Sequence, residues 1–122
     1  MRRLARGIPK RRLPGTMNRY ERAYADYLDA GRVEYKFESI KLRLADKTFY
    51  TPDYSLLGDD DVLEFHEVKA VTYDKAGRAK AWSQDASRIK IKVAAEQYPW
   101  FRFCIVYYDR RAIKWVREEV GA

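Results

Sequence analysis

The stretch TPDYSLLGDDDVLEFHEVKA, residues 51–70, contains the pattern that decides the fold of this chain. It opens with an acid, Asp53, and closes with Glu67 and Lys69. Two apolar runs lie between these ends, separated by a turn rich in glycine and aspartate. Such a turn between two apolar runs predicts two neighbouring β-strands. We therefore expect two carboxylates and an ammonium group to meet at one end of a sheet.

The net charge of +7 is concentrated at the N-terminus. Seven of the 25 basic residues lie in residues 1–19, which contain no acid, so the remaining 18 basic residues are balanced by 18 acidic ones. A basic arm commonly contacts nucleic acid without sequence preference, and a solubilising leader is the alternative. We predict a flexible basic arm over residues 1–15 and a single domain over residues 16–122.

The composition argues against a membrane protein or a disulfide-bonded secreted protein. No apolar run is long enough to cross a bilayer, and the basic N-terminus is not followed by the apolar segment of a signal peptide. Cys104 is the single cysteine and lies in an apolar run. We expect a buried thiol and a cytoplasmic location.

Hydrophobic periodicity predicts an order of helix, three antiparallel strands, helix and strand. The first helix runs from Met17 to Ala30, with Thr16 as N-cap and Gly31 at its C-terminal end. Spacings of three and four predict that its buried stripe consists of Tyr20, Tyr24, Tyr27 and Leu28.

Three strands are predicted over residues 32–44, with a bend near Ser39, over 48–57 and over 62–71. A basic loop follows at 72–84, then a helix over 85–98 with Ile89, Val93 and Ala94 on its inner face. Residues 100–108 form the next strand, and 112–120 form a helix or, as alternation favours, a strand. This order predicts an α/β (α+β mixed) fold, with a mixed central sheet of four to five strands flanked by helices.

The predicted sheet end has the chemistry of a magnesium site. Mg²⁺ prefers hard oxygen ligands, usually one or two carboxylates with waters and a phosphate. Asp53 and Glu67 supply carboxylates, and the backbone carbonyl of Val68 is a candidate third ligand. Lys69 lies two residues after Glu67, hence on the same face, where its ammonium would hold a water or a phosphate. A surface row of ion pairs is the alternative interpretation of the same residues.

Pro52-Asp53 followed by Glu67-Val68-Lys69 resembles the motif of the PD-(D/E)XK nuclease superfamily. The strings FESIKLRLADKTFYTPDY, LEFHEVKA and RIKIKVAAEQYPWFRF extend the resemblance to small phage-encoded endonucleases related to endonuclease I and Holliday-junction resolvases. It covers about residues 16–108. It implies a restriction-endonuclease-like core.

The resemblance also implies roles for single residues. Asp53 and Glu67 match the metal-binding acids of the superfamily, and Lys69 matches its catalytic lysine. Glu21 matches an acid on the helix before the core sheet, although spacing alone is equally compatible with a solvated helix carboxylate. Glu38 is a further candidate ligand, with Glu34 as its competitor.

Other polar residues divide into candidate DNA contacts and structural positions. The resemblance suggests that the helix after the third strand faces DNA. The candidate DNA-binding residues are Arg88 and Lys92 on that helix, Lys75, Arg78 and Lys80 in the preceding loop, and Arg11 and Arg12 in the arm. A solvated helix face is the alternative for the first two, and a plain linker is the alternative for the loop. The only histidine, His66, should point away from Glu67 and is expected to be structural. The run Asp59–Asp61 is expected to be a solvated turn.

Together these features predict a Mg²⁺-dependent DNA endonuclease in which Mn²⁺ can substitute. The resemblance favours branched DNA, such as a Holliday junction, and therefore a homodimer, in the cytoplasm of a bacterial host. No nucleotide cofactor and no membrane are expected. The alternatives are a non-catalytic DNA-binding accessory module and a protein that interacts with host defence.

Overall fold

The computed structural model describes residues 15–82 and 85–121. Arg11, Arg12 and nearly all of the predicted basic arm lie outside these residues. The elements are α1 (Arg19–Ala30), β1 (Lys36–Phe37), β2 (Leu42–Ala45), β3 (Thr48–Tyr50), β4 (Tyr54–Leu57), β5 (Leu63–Val68), β6 (Val71–Tyr73), β7 (Ala79–Ala81), α2 (Asp85–Gln97), β8 (Arg102–Asp109) and β9 (Lys114–Val120).

Five strands form the central sheet, in the order β1-β4-β5-β8-β9. Neighbours are antiparallel except β5 and β8, which are parallel and are connected through α2. A parallel pair needs such a long crossover, whereas β4 and β5 are joined by the short turn at 58–62. The predicted mixed α/β fold with a mixed sheet is confirmed. Residues 114–120 form a strand rather than a helix.

Helix α1 begins at Arg19, two residues after its predicted start, and ends at Ala30 as predicted. Asn18, not Thr16, is the N-cap, and it forms a reciprocal capping box with Glu21. The left-handed backbone conformation after the helix falls on Arg32 (φ 56°), not on Gly31. Tyr24 and Leu28 are buried as predicted.

Two tyrosines of the predicted stripe are not buried. Tyr20 is 40% exposed and Tyr27 is 53% exposed, so this part of the prediction is wrong. Glu21 and Ala25 are buried instead, because the stripe that faces the sheet is narrower and rotated from the one that the aromatic residues suggest.

Three predicted strands are each divided in two. The first breaks at Glu38, which has a positive φ of 50°. The second breaks around Pro52, which has no N–H to donate to a ladder. The third ends at Val68, and the predicted loop that follows is largely the β6–β7 hairpin.

The sheet has an apolar core on each face. On one face, α2 and the β2–β3 hairpin cover a cluster that includes Phe65, Phe103 and Ile91. On the other, α1 covers a cluster that includes Tyr54 and Val106. Among the described residues no helix combines the length and apolar character needed to cross a membrane.

The prediction for the inner face of α2 is wrong at one position. Ile89 is 58% exposed, whereas Ile91 is buried with Ala94. Ile91 lies about 200° around the helix from Ile89, at 3.6 residues per turn, so the two cannot share a face. The sequence RIKIK contains both isoleucines, and only the packing against β2, β3 and the sheet selects Ile91.

Candidate metal centre

Three carboxylates from separate parts of the chain meet beside the central sheet. Glu21, Glu38 and Asp53 each offer an oxygen within 4.8 Å of the others. Glu21 lies in the first turn of α1, Glu38 at the bend after β1, and Asp53 immediately before β4. Hard oxygen donors grouped in this way are the ligand type that Mg²⁺ and Mn²⁺ prefer.

Asp53 is held by the backbone on both sides. Its Oδ2 accepts a hydrogen bond of 2.8 Å from the N–H of Val68, the last residue of β5. Its own carbonyl accepts a 2.8 Å hydrogen bond from the N–H of Glu38. Asp53 therefore connects the bend after β1 with the end of β5. The predicted role for the carbonyl of Val68 stays a prediction, since the observed contact uses the N–H.

Glu38 occupies a backbone conformation that is unfavourable for its residue type. A positive φ of 50° is uncommon outside glycine, asparagine and aspartate. The side chain is partly buried, and its Oε1 accepts a 3.0 Å hydrogen bond from the N–H of Gly15. Glu34, its competitor in the sequence, is exposed. The bend thus carries Glu38 to the other two acids.

Glu21 is the most deeply buried of the three acids, with 3% of its surface exposed. Its carboxylate accepts a 2.8 Å hydrogen bond from the N–H of Asn18, which closes the capping box. Its backbone carbonyl accepts a 2.6 Å hydrogen bond from the hydroxyl of Tyr54, the residue after Asp53. The helix cap and the start of β4 therefore set the position of Glu21 together.

Glu67 stands at the margin of this group rather than within it. Its Oε1 accepts a 2.8 Å hydrogen bond from the hydroxyl of Tyr50, and its Oε2 lies 3.5 Å from Nζ of Lys69. The close three-acid group thus contains Glu38 in the place where the sequence suggests Glu67. The negative charge of Glu67 nevertheless contributes to the raised pKa of Asp53.

The electrostatics of the site favour a cation. Burial, followed by the charge of Glu67, raises the pKa of Asp53 to about 9. Burial also raises the pKa of Glu67, against the opposing effects of Lys69 and Tyr50. Buried carboxylates this close together repel each other when ionised, and a divalent ion would relieve that repulsion. The donor set therefore fits a hard divalent cation.

Lys69 is positioned by a residue that the sequence analysis did not single out. Its Nζ donates a 2.8 Å hydrogen bond to Oγ of Ser87, on the first turn of α2, and its N–H bonds the carbonyl of Val106. Ser87 and Tyr50 carry no motif signal, because each reaches the site only through the tertiary arrangement. Lys69 is thereby fixed beside Glu67.

His66 points to the opposite face of β5 from Glu67, as expected. Its Nδ1 accepts a 2.6 Å hydrogen bond from the hydroxyl of Tyr24, and its Nε2 donates to Oε1 of Glu64 at 2.9 Å. Burial lowers the pKa of His66, so the imidazole is neutral near neutral pH. The carboxylate of Glu64 can only accept, which assigns the proton to Nε2 and leaves Nδ1 as the acceptor. Arg102 and Arg117 also bind Glu64. The hydrogen bonds between Tyr24, His66 and Glu64 therefore connect α1 to β5 of the sheet.

The predicted DNA-binding residues do not form one cluster. Lys75 and Lys80 are exposed on the β6–β7 hairpin, where Arg78 pairs with Asp74 at 3.0 Å. Lys92 is exposed on α2.

Arg88 on α2 is partly buried and pairs with Glu118 of β9 at 3.2 Å. Arg110 and Arg111, which the sequence analysis did not single out, place their guanidinium groups 5.2 and 4.0 Å from the ring centre of Tyr73 on the hairpin.

The chain matches no protein-family model, and no curated protein is significantly similar to it. A solved structure described as the crystal structure of SSO0001 is similar in fold, with a TM-score of 0.48 and 11% sequence identity. The similarity covers 84% of this chain and 50% of that one, so this chain spans half the length of that protein. No family assignment follows from this similarity.

Proposed function

We propose that this protein is a divalent-cation-dependent endonuclease that hydrolyses phosphodiester bonds in DNA. The observation that carries the proposal is the group of Glu21, Glu38 and Asp53, within 4.8 Å of one another, with Glu67 and Lys69 beside it. A solvated row of surface ion pairs would not bury Glu21 or raise the pKa of Asp53.

The three clustered carboxylates are the residues that would hold Mg²⁺ or Mn²⁺, with Glu67 at their margin. When bound, such an ion lowers the pKa of a coordinated water and neutralises negative charge on the phosphate. Hydrogen bonds within the fold hold two of the acids in position. Tyr50 fixes the carboxylate of Glu67, and the N–H of Val68 fixes Asp53.

Lys69 is the residue that we place at the reacting phosphate. Its Nζ is held by Ser87 and lies 3.5 Å from Glu67. From there it donates a hydrogen bond to the attacking water or to a non-bridging phosphate oxygen, where negative charge develops. A lysine suits this role because its compact charge has three donors, so one can face the substrate while another is bound to Ser87.

We propose branched DNA as the substrate and a homodimer as the active form, since resolving a junction requires two coordinated cuts. The expected location is the cytoplasm. The basic residues on the β6–β7 hairpin and on α2 support DNA as the partner, because phosphate contacts supply most of the non-specific affinity for DNA.

The test is cleavage of a labelled four-way junction and of its matching duplex, in Mg²⁺, in Mn²⁺ and with chelator. We expect metal-dependent cutting by the wild type and a loss of at least about 100-fold in Glu67→Gln. Asp59→Asn is the matched control. It removes one charge from the exposed turn between β4 and β5, at the opposite end of these strands from Glu67.

Each result has a distinct meaning. Equal cutting of junction and duplex would keep the nuclease and reject the junction preference. DNA binding without any cutting by the folded protein would reject the nuclease and leave a DNA-binding module on the same fold. The basic hairpin is the observation that favours this second function.

A further inference from the structure

Trp82 is exposed at the base of the β6–β7 hairpin, immediately after β7. About 53% of its surface is accessible, although tryptophan is highly buried on average. The preceding residue, Ala81, is buried in the core, so the backbone at this point is held firmly against the domain. An exposed indole on a fixed backbone offers a flat apolar surface to a ligand.

The indole borders a surface depression of about 410 Å³, within the range of small-ligand sites. Two cationic side chains line the same depression: Lys80, which is exposed, and Arg88, which Glu118 orients. Thr72 and Ala81 complete the lining. An aromatic face combined with positive charge is the surface chemistry that recognises a nucleobase and its phosphate.

The depression lies beside the proposed catalytic lysine. The N–H of Trp82 donates a 2.7 Å hydrogen bond to the carbonyl of Ala70, the residue after Lys69. Arg88 follows Ser87, which accepts a 2.8 Å hydrogen bond from Nζ of Lys69. A strand whose phosphate lies at Lys69 would therefore place a neighbouring nucleotide near Trp82.

We propose that Trp82 is a stacking site for an unpaired base of the DNA strand that enters the centre, with Lys80 facing its phosphate. The inference rests on the proposed nuclease function and deepens it by naming the substrate class. In a duplex the faces of a base are covered by its neighbours, so stacking on Trp82 requires an unpaired nucleotide. The favoured substrate is DNA with a single-stranded segment, as at a flap, gap or open branch point.

A second tryptophan provides a matched control. Trp100 is even more exposed, at 72%, but it precedes β8 at the opposite end of the sheet. In the parallel pairing of β5 with β8, Arg102 lies opposite Glu64, whereas Glu67 lies opposite Ile105. Trp100 is therefore remote from Lys69, and its removal tests for a general effect of losing an exposed indole.

The experiment measures binding by fluorescence anisotropy of a labelled 12-nucleotide single strand and of a duplex with the same sequence. Ca²⁺ replaces Mg²⁺ so that affinity is measured without relying on turnover. We expect the wild type to prefer the single strand. Trp82→Ala should lose about 5- to 100-fold in affinity for the single strand, the effect of one stacked base. Trp82→Phe should retain most of the affinity, and Trp100→Ala should match the wild type.

Equal affinity of Trp82→Ala and Trp100→Ala for the single strand would overturn the inference, once circular dichroism has shown both variants to be folded. This holds whether both variants keep the wild-type affinity or both lose it to the same extent. The same affinities measured in the Glu67→Gln background separate this inference from the proposed function. If the wild type binds the single strand through Trp82 but never cuts DNA in Mg²⁺ or Mn²⁺, the nuclease is rejected and the stacking site is supported. If Trp82→Ala cuts and binds DNA as well as the wild type does, the nuclease is supported and the stacking site is rejected.

Discussion

Asp53 Oδ2 accepts a 2.8 Å hydrogen bond from the backbone N–H of Val68, which joins the residue before β4 to the last residue of β5. The contact brings the two ends of the stretch 51–70 together in space. It also aligns the carboxylate of Asp53 with the acids that α1 and the bend at Glu38 contribute. The candidate metal centre thus includes one acid, Asp53, that is both a structural acceptor and a candidate ligand.

Asp53→Asn should separate these two roles. The amide oxygen of asparagine can still accept from Val68, while one charge leaves a crowded group of carboxylates. We expect the melting temperature with chelator to be equal to that of the wild type or higher. The wild type should gain about 2–3 kcal/mol of stability when Mn²⁺ is at 100 times its Kd, and the variant should gain far less. Differential scanning fluorimetry with and without Mn²⁺ measures both effects.

Asp53→Ala provides the comparison for that experiment. It removes the acceptor as well as the charge, so the N–H of Val68 loses its partner, at a cost of about 1–3 kcal/mol. A melting temperature for Asp53→Ala equal to that of Asp53→Asn would show that the hydrogen bond does not support the fold. A full Mn²⁺ response in either variant would argue against Asp53 as a ligand.

Lys69→Gln should strongly slow cleavage while preserving metal binding. Glutamine is uncharged and shorter than lysine, so the charged donor is lost from the developing charge, and such a loss typically lowers kcat by about 100- to 1000-fold. Removing a positive charge beside Glu67 should leave the affinity for Mn²⁺ unchanged or increase it. Single-turnover cleavage and calorimetric Mn²⁺ titration measure the two quantities. Cleavage at the wild-type rate would remove Lys69 from the mechanism.

Tyr24→Phe should destabilise the fold through His66. The phenol of Tyr24 donates to Nδ1 of His66, and both residues are buried. Without that hydroxyl the ring nitrogen is left unsatisfied, which costs about 1–3 kcal/mol. Urea unfolding followed by circular dichroism measures the loss. Tyr27→Phe is the control, since Tyr27 lies on the same helix and is 53% exposed, and it should change stability by less than about 0.5 kcal/mol.

Glu64 should make stability depend on acidic pH. Burial alone would raise its pKa, but hydrogen bonds from His66 and Arg102 and the charge of Arg117 outweigh burial and hold the pKa below its usual 4.5. A lowered pKa means that the ionised carboxylate stabilises the folded state. This contribution is complete above the usual carboxyl pKa and is lost as pH falls through the lowered value.

Glu64→Gln should therefore unfold about 1–3 kcal/mol more easily than the wild type at pH 7. The difference should shrink as pH falls below the ordinary carboxyl range, and urea unfolding between pH 3 and about pH 7 follows it. Glu119→Gln is the control, because Glu119 is largely exposed and its pair with Arg102 is worth at most about 1 kcal/mol. A constant difference across this range would show that the charge of Glu64 is not responsible.

Local sequence pattern determined much of this arrangement. Alternation along β5 predicts that Glu67 and His66 point to opposite faces, and the structure shows this, because a period of two is a property of any strand. The turn after Leu57 predicts that β4 and β5 pair, so that Asp53 and Glu67 lie at the same end. Both conclusions need only contacts between neighbouring segments.

Only the tertiary structure decided which acids come together and which aromatic residues are buried. Glu38 enters the close group through a bend with positive φ, and Glu67 remains at its margin. Tyr20 and Tyr27 lie on the exposed side of α1, although their spacing suggests the core. Ser87 reaches Lys69 only because α2 crosses the sheet. Each of these outcomes depends on how a helix or bend packs against a distant strand, and no local periodicity encodes that packing.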